Sequence, residues 1–145
     1  MKKYKIITLC GSTKFKEDFL RIQKELTLQG NIVLSPCVFT HSDNEDISEE
    51  TKKMLFDIHK YKINMADEIY VINKNGYIGE YTKFEILYAT ILNKPIKYME
   101  EITKYKNDVF DKDIKDAMTY WSNSPSNRLQ RYHHFKKTID NFINK

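Results

Sequence analysis

The chain has 145 residues, of which 41% are hydrophobic and 30% are charged, with only 4 Gly and 3 Pro. This balance is typical of a folded globular protein, and it excludes a disordered, collagen-like or low-complexity chain. The net charge of +4 is not concentrated in a basic stripe, so no nucleic-acid partner is expected.

The sequence predicts neither a signal peptide nor a membrane span. The apolar run at residues 6–10 is too short for a signal peptide, and no stretch of about 18 apolar residues occurs. Cys10 and Cys37 are too few for a disulfide framework, and without a second cysteine pair no zinc site is expected. We therefore expect a cytoplasmic protein with reduced thiols, no membrane contact and no bound metal.

The first third of the chain predicts a strand, a helix and a second strand. Residues 4–10 are apolar and rich in β-branched side chains, which favours a buried strand that stops at Gly11. Residues 31–35 are the second predicted strand, and the acid-rich residues 38–50 are expected to form a loop before the next helix. Between the strands, apolar residues recur at helical spacing until Gly30, namely Phe15, Phe19, Ile22 and Leu26.

The same alternation continues along the chain. A long helix, a strand at 68–73, a helix at 82–93 and a strand at 95–99 are predicted in that order. Strands alternating with helices indicate a parallel α/β sheet with right-handed crossovers. The apolar face of the long helix is expected to comprise Leu55, Ile58, Tyr61 and Met65.

The distribution of predicted strands and helices divides the chain into two regions. Residues 1–100 are predicted to form the α/β core. Residues 101–145 are predicted to be a helical extension, because apolar residues recur there at helical spacing on both sides of a break at 123–126. The extension is expected to pack on the core or on a partner subunit.

Ligands of open α/β sheets bind at the carboxyl ends of the strands, and the segment Gly11-Ser12-Thr13-Lys14 lies there. A glycine followed by a helix start, two hydroxyls and a lysine could bind a phosphate or carboxylate. The alternative is an ordinary tight turn in which Ser12 or Thr13 caps the helix.

Three further residues carry candidate chemistry. Glu85 fits a capping box with Thr82, or it is a carboxylate nucleophile in the first turn of a helix at the ligand-binding edge. His59 is either a packed or surface histidine, or an acid/base group active near neutral pH. Asp57 and His59 are two residues apart on a helix, so only one of them can point straight into a site.

Three segments occur in a characteristic order: residues 9–15 (LCGSTKF), residues 66–69 (ADEI), and residues 76–80 (GYIGE) continuing to 85–89 (EILYA). Taken together, they resemble the nucleoside 2-deoxyribosyltransferase superfamily, which includes 2′-deoxynucleoside 5′-monophosphate N-hydrolases. The resemblance covers residues 4 to about 99 and implies a flavodoxin-like sheet. It also implies assembly into a homodimer or higher homo-oligomer.

The resemblance also implies a chemistry. Glu85 matches a glutamate that attacks C1′ of the sugar and forms a covalent ester, which is then resolved by water or by a second base. Gly11 and Ser12 match a loop that binds the 5′-phosphate, with Lys14 where an arginine is common. The family often has a catalytic aspartate eight residues before Asp67, and His59 occupies that position here.

We therefore expect an N-glycosidase or deoxyribosyltransferase that acts on a 2′-deoxynucleoside or its 5′-monophosphate and needs no cofactor. Glu85 is the expected nucleophile, with His59 or Asp57 as acid/base. The alternative is a nucleotide-sensing module that has the pocket without catalysis. The expected substrate-binding residues are Gly11, Ser12, Thr13, Lys14, Asp67, Asn73, Gly79 and Thr82.

Overall fold

A four-stranded, all-parallel sheet flanked by helices confirms the predicted α/β, flavodoxin-like fold. The structure is a computed structural model that describes residues 3–101, apart from the side chain of Glu80. The chain divides into two units, Met1–Glu101 and Ile102–Lys145. The predicted helical extension therefore lies outside the described residues, except for Glu101.

The strands are β1 (Ile6–Gly11), β2 (Ile32–Leu34), β3 (Glu68–Ile72) and β4 (Ile96–Tyr98). Their order across the sheet is β2-β1-β3-β4, so β1 and β3 are the two inner strands. This is the order of the first four strands of flavodoxin-like folds, in which ligands bind where the strand order switches between β1 and β3.

The helices are α1 (Lys16–Leu28), α2 (Thr40–Asp43), α3 (Glu49–Met65) and α4 (Glu80–Ile91), with short 3-10 turns at Thr13–Phe15 and Lys74–Gly76. The expectation of a loop throughout 38–50 is wrong, because α2 lies within it. Among the helices of residues 3–101, none has the length and apolar character needed to cross a bilayer.

Strand β1 places side chains alternately on the two faces of the sheet. Ile7 and Leu9 pack with Phe19 and Ile22 of α1 in one buried cluster. The intervening side chains face the opposite layer, where Thr8 Oγ1 donates a hydrogen bond to the Lys62 backbone carbonyl at 2.8 Å. One strand thus joins α1 on one face to α3 on the other.

The face of α3 that packs on the sheet differs from the prediction. The predicted residues Ile58, Tyr61 and Met65 are exposed, whereas His59 and Ile63 are buried. Lys60 is also buried, and its ammonium group lies 3.3 Å from the exposed Asp57 carboxylate. The helix therefore turns a face containing a histidine and a lysine inward, which apolar spacing alone does not predict.

Gly11 is required where β1 ends against β3. A Cβ at this position would lie 2.9 Å from the Ile72 carbonyl oxygen and 3.0 Å from Ile72 Cβ. Gly11→Ala should therefore lower the free energy of unfolding by about 1–3 kcal/mol, as overpacking typically does. Urea denaturation measures this change.

Gly79→Ala is the matched control, because its Cβ would make only an ordinary contact, 3.5 Å from Tyr77 Oη. The control should lose less than about 1 kcal/mol. Equal losses in the two variants would contradict the close approach of the strands at Gly11.

Candidate active site

A cluster of three side chains from three elements lies on the side of the sheet that faces α3 and α4. Cys10 comes from the end of β1, His59 from the middle of α3 and Glu85 from the second turn of α4. Cys10 Sγ lies 3.6 Å from His59 Nε2, which lies 3.6 Å from Glu85 Oε1. Cys10 is fully buried, and His59 and Glu85 are 6% and 9% exposed. We call these three residues the buried cluster.

Glu85 does not serve as a helix cap. Gly79 is the N-cap residue of α4, and its carbonyl accepts a hydrogen bond from the Lys83 N–H at 3.0 Å. Thr82 is therefore the third residue of the helix and Glu85 the sixth, so the predicted capping box is wrong. The prediction that Glu85 lies in the first turn is wrong for the same reason.

Burial keeps the members of the cluster uncharged at neutral pH. It raises the pKa of Glu85 to about 8, although the hydrogen bond from Cys10 opposes this shift. It lowers the pKa of His59 to about 4, with a further decrease from the positive charge of Lys62 and an opposing hydrogen bond to the Leu9 backbone. Burial and the neighbouring Glu85 also raise the pKa of the Cys10 thiol. The 3.6 Å contact between His59 and Glu85 is therefore not an ion pair in the resting protein.

One carboxyl oxygen in the buried cluster is left without a partner. Glu85 Oε2 is buried and makes no hydrogen bond within the described part of the chain. A buried carboxyl oxygen normally has a partner, since leaving it unpaired costs about 1–3 kcal/mol. Such an atom has a hydrogen-bonding capacity that none of the described residues uses.

The structure separates the two acid/base candidates. His59 belongs to the buried cluster, whereas the Asp57 side chain is 62% exposed and lies beside Lys60. Asp57 therefore does not share the surroundings of Glu85. Of the two groups, only His59 is in position to exchange a proton with Glu85.

The loop after β1 is held by contacts of its own. Ser12 is the N-cap of the 3-10 turn and accepts a hydrogen bond from the Lys14 N–H at 3.4 Å. Thr13 Oγ1 lies 3.0 Å from His41 Nδ1 of α2. The capping alternative is thus confirmed for Ser12, and α2 packs beside this loop.

Lys14 lies against an aromatic wall at the same edge of the sheet. Its Nζ is 3.3 Å from the centre of the Tyr77 ring, which packs edge-on against Phe15. The cation–π contact fixes the ammonium group while the side chain stays exposed. An anion that reaches this edge would meet one oriented positive charge.

The remaining predicted binding residues are spread over both ends of the sheet. Asp67 lies at the opposite edge, before β3 begins, where its Oδ2 accepts a hydrogen bond from the Ile6 N–H at 2.8 Å. Asn73 follows β3 at the ligand-binding edge, but its side-chain amide is already occupied. The amide nitrogen donates a hydrogen bond to the Glu100 carbonyl, and the amide oxygen accepts one from the Glu100 N–H. Thr82 is buried one turn before Glu85, and Gly79 begins the same helix.

Cys10 is the member of the buried cluster that sequence reasoning did not select. Leu9 packs against α1, and side chains alternate along β1, so the sequence indicates that Cys10 lies on the other face of the sheet. This alternation does not predict which residues Cys10 contacts, because His59 is 49 residues away along the chain.

We found no match to a family model, a curated protein or a solved structure.

The pKa shifts of the buried cluster predict a pH-dependent stability. Between pH 6.5 and about 8, Glu85 is ionised in the unfolded chain but protonated in the folded one, while His59 is neutral in both. The folded state then holds one extra proton, so stability falls by about 1.4 kcal/mol per pH unit, or about 2 kcal/mol over this interval. Below pH 6.5, the lowered pKa of His59 contributes the opposite slope.

Urea denaturation across this interval tests the shift at Glu85. The Glu85→Gln variant cannot ionise and should lack the decrease, whereas Asp57→Asn should retain it. A decrease of the same size in Glu85→Gln would contradict the burial of an ionisable Glu85 in this cluster.

Proposed function

We propose that the protein cleaves or transfers the N-glycosidic bond of a 2′-deoxynucleoside or its 5′-monophosphate, with Glu85 as the nucleophile. One observation carries this proposal: a buried glutamate with an unpartnered oxygen contacts a histidine at the ligand-binding edge of a parallel sheet. The resemblance of residues 9–15, 66–69, 76–80 and 85–89 to the nucleoside 2-deoxyribosyltransferase superfamily supports the substrate class.

The first step needs a carboxylate and a proton for the leaving base. In the resting cluster Glu85 holds the proton and His59 is neutral, and Nε2 is 3.6 Å from Oε1. Transfer of that proton to His59 makes Glu85 a nucleophile and His59 an acid. Glu85 attacks C1′, the electron pair of the C1′–N bond moves to the base, and His59 supplies the proton to the base.

The second step regenerates the enzyme. A water molecule attacks C1′ while His59 accepts its proton, and the bond between C1′ and the Glu85 oxygen breaks. A second free base in place of water gives a new nucleoside instead of free sugar. Two displacements at C1′ retain its configuration, as in retaining glycosidases.

Neighbouring residues have supporting roles in this proposal. The Cys10 thiol donates a hydrogen bond to Glu85 and orients its carboxyl group. Lys14, placed over the Tyr77 ring, binds the 5′ end of the substrate or its phosphate, together with the backbone around Gly11 and Ser12.

We further propose that the enzyme is a homo-oligomer, as the family resemblance implies. We place it in the cytoplasm, because Cys10 and Cys37 are free thiols.

Chromatography of reaction mixtures tests the proposed activity. Deoxynucleosides and their 5′-monophosphates should release free base, or give a new nucleoside when a second base is added. Glu85→Gln should lower turnover by at least about 10³-fold, because the amide cannot act as the nucleophile. Asp57→Asn replaces a carboxylate on the neighbouring, exposed side of α3, so it should retain turnover.

Full turnover in Glu85→Gln would contradict the nucleophile assignment. Ligand binding by wild-type protein without any turnover would instead favour the nucleotide-sensing alternative.

The shared proton of His59 and Glu85 predicts the pH profile of kcat/KM. The singly protonated pair exists between the pKa of His59, about 4, and that of Glu85, about 8. Activity should be level between these limits and fall tenfold per pH unit beyond each of them. Initial rates at low substrate concentration measure the profile, with Asp57→Asn as the control. A profile that keeps rising above pH 8 would show that the pair does not share the catalytic proton.

A further inference from the structure

The three potential metal-ligand atoms of the buried cluster lie close together. The ligand atoms of Cys10, His59 and Glu85 all lie within 4.8 Å of one another. Each residue comes from a different element, and the parallel sheet with its two covering helices holds them together. A thiolate sulfur, an imidazole nitrogen and a carboxylate oxygen are the three kinds of ligand atom that bind zinc in proteins.

A cysteine–histidine–acid triad does not explain this arrangement. In such a triad, the nucleophile and the acid lie on different nitrogens of the imidazole. Here the same nitrogen, Nε2 of His59, faces both the sulfur and the carboxyl group, each at 3.6 Å. The three groups therefore surround a point and do not form a relay.

Two of the three separations match the edges of a tetrahedral zinc site. Zinc binds sulfur at about 2.3 Å and nitrogen or oxygen at about 2.0–2.2 Å, which places neighbouring ligand atoms about 3.4–3.5 Å apart. The observed separations from His59 Nε2 to Cys10 Sγ and to Glu85 Oε1 are both 3.6 Å. The sulfur and the carboxyl oxygen lie within 4.8 Å of each other, and a tetrahedral cation would require them to be about 3.5 Å apart.

The chemistry of the donors also suits a divalent cation. A thiolate, a carboxylate and a neutral imidazole bring two negative charges, which neutralise a 2+ ion in a buried place. The Leu9 backbone hydrogen-bonds the His59 imidazole, as a second contact commonly orients a metal-binding histidine. Glu85 Oε2 has no hydrogen-bond partner among residues 3–101, so no described contact holds the carboxyl group away from a cation.

We propose that Cys10, His59 and Glu85 form a three-ligand site for a thiophilic divalent cation, with zinc as the best match. On binding, the Cys10 thiol and the Glu85 carboxyl group release their protons to solvent, and the fourth position is left for a water molecule. If the proposed function holds, a bound cation occupies the nucleophile, so zinc and substrate exclude each other. The metal site itself does not depend on the proposed function.

Cobalt(II) is the probe that reports on the ligands directly. Titration of the full-length, reduced protein should give one tightly bound Co²⁺ with the intense near-ultraviolet charge-transfer band of a thiolate ligand, and Zn²⁺ should displace it. Cys10→Ser should lose this band, and His59→Gln should weaken binding at least 100-fold, beyond the roughly 10–100-fold that loss of an outer contact costs. Cys37→Ser is the matched control, since it removes the other free thiol.

X-ray absorption of the zinc-loaded wild-type protein tests the site without any substitution. One sulfur, one imidazole nitrogen and oxygen ligands would support it. Absence of a sulfur ligand, or loss of the cobalt band in Cys37→Ser in place of Cys10→Ser, would overturn it. Circular dichroism of each variant separates loss of a ligand from loss of the fold.

The activity measurement keeps the two proposals distinguishable. If turnover occurs, Zn²⁺ should inhibit it with a constant equal to the dissociation constant from the cobalt competition. Turnover that is unchanged when zinc saturates the site would overturn the mutual exclusion. Cation binding in a protein that turns over no nucleoside would uphold the metal site and contradict the proposed function.

Discussion

Strand β1 is the constraint on which the other parts of the structure depend. It lies between β2 and β3, and its side chains alternate between two helical layers. Leu9 packs into the α1 layer, so Cys10 is turned toward α3 and α4, where His59 and Glu85 lie. Gly11 then ends the strand so close to Ile72 that a side chain there would force the two strands to shift. The same strand that holds the sheet together thus positions the buried cluster.

Burial decides what this cluster can do. A carboxyl group in water is ionised and solvated at neutral pH, whereas Glu85 keeps its proton because its surroundings cannot solvate a charge. His59 stays neutral for the same reason, so the pair holds one proton that can pass between them. Both proposals use this arrangement: a sugar carbon or a metal cation would supply the electrophilic partner that Glu85 Oε2 lacks within residues 3–101.

Much of the fold could be predicted from the sequence, because short β-branched runs alternate with amphipathic segments. The inward face of α3 could not, because His59 and Lys60 are buried there while Ile58, Tyr61 and Met65 are exposed. Glu85 and His59 were predicted as candidates, but their contact comes from tertiary packing between two helices. The predicted capping box is wrong because Gly79 is the N-cap residue of α4, which leaves Thr82 inside the helix. Cys10 carries no local signal that identifies its partners.

The most direct test of the central proposal is to trap the covalent intermediate on Glu85. The protein would be mixed with a 2′-deoxynucleoside or its 5′-monophosphate, quenched with acid during turnover, digested and examined by peptide mass spectrometry. The proposed mechanism predicts a deoxyribosyl adduct, phosphorylated for the monophosphate, on Glu85, and its absence in Glu85→Gln. Release of base by the wild-type protein with the adduct on another residue, or with no adduct under conditions where it should accumulate, would contradict Glu85 as the nucleophile.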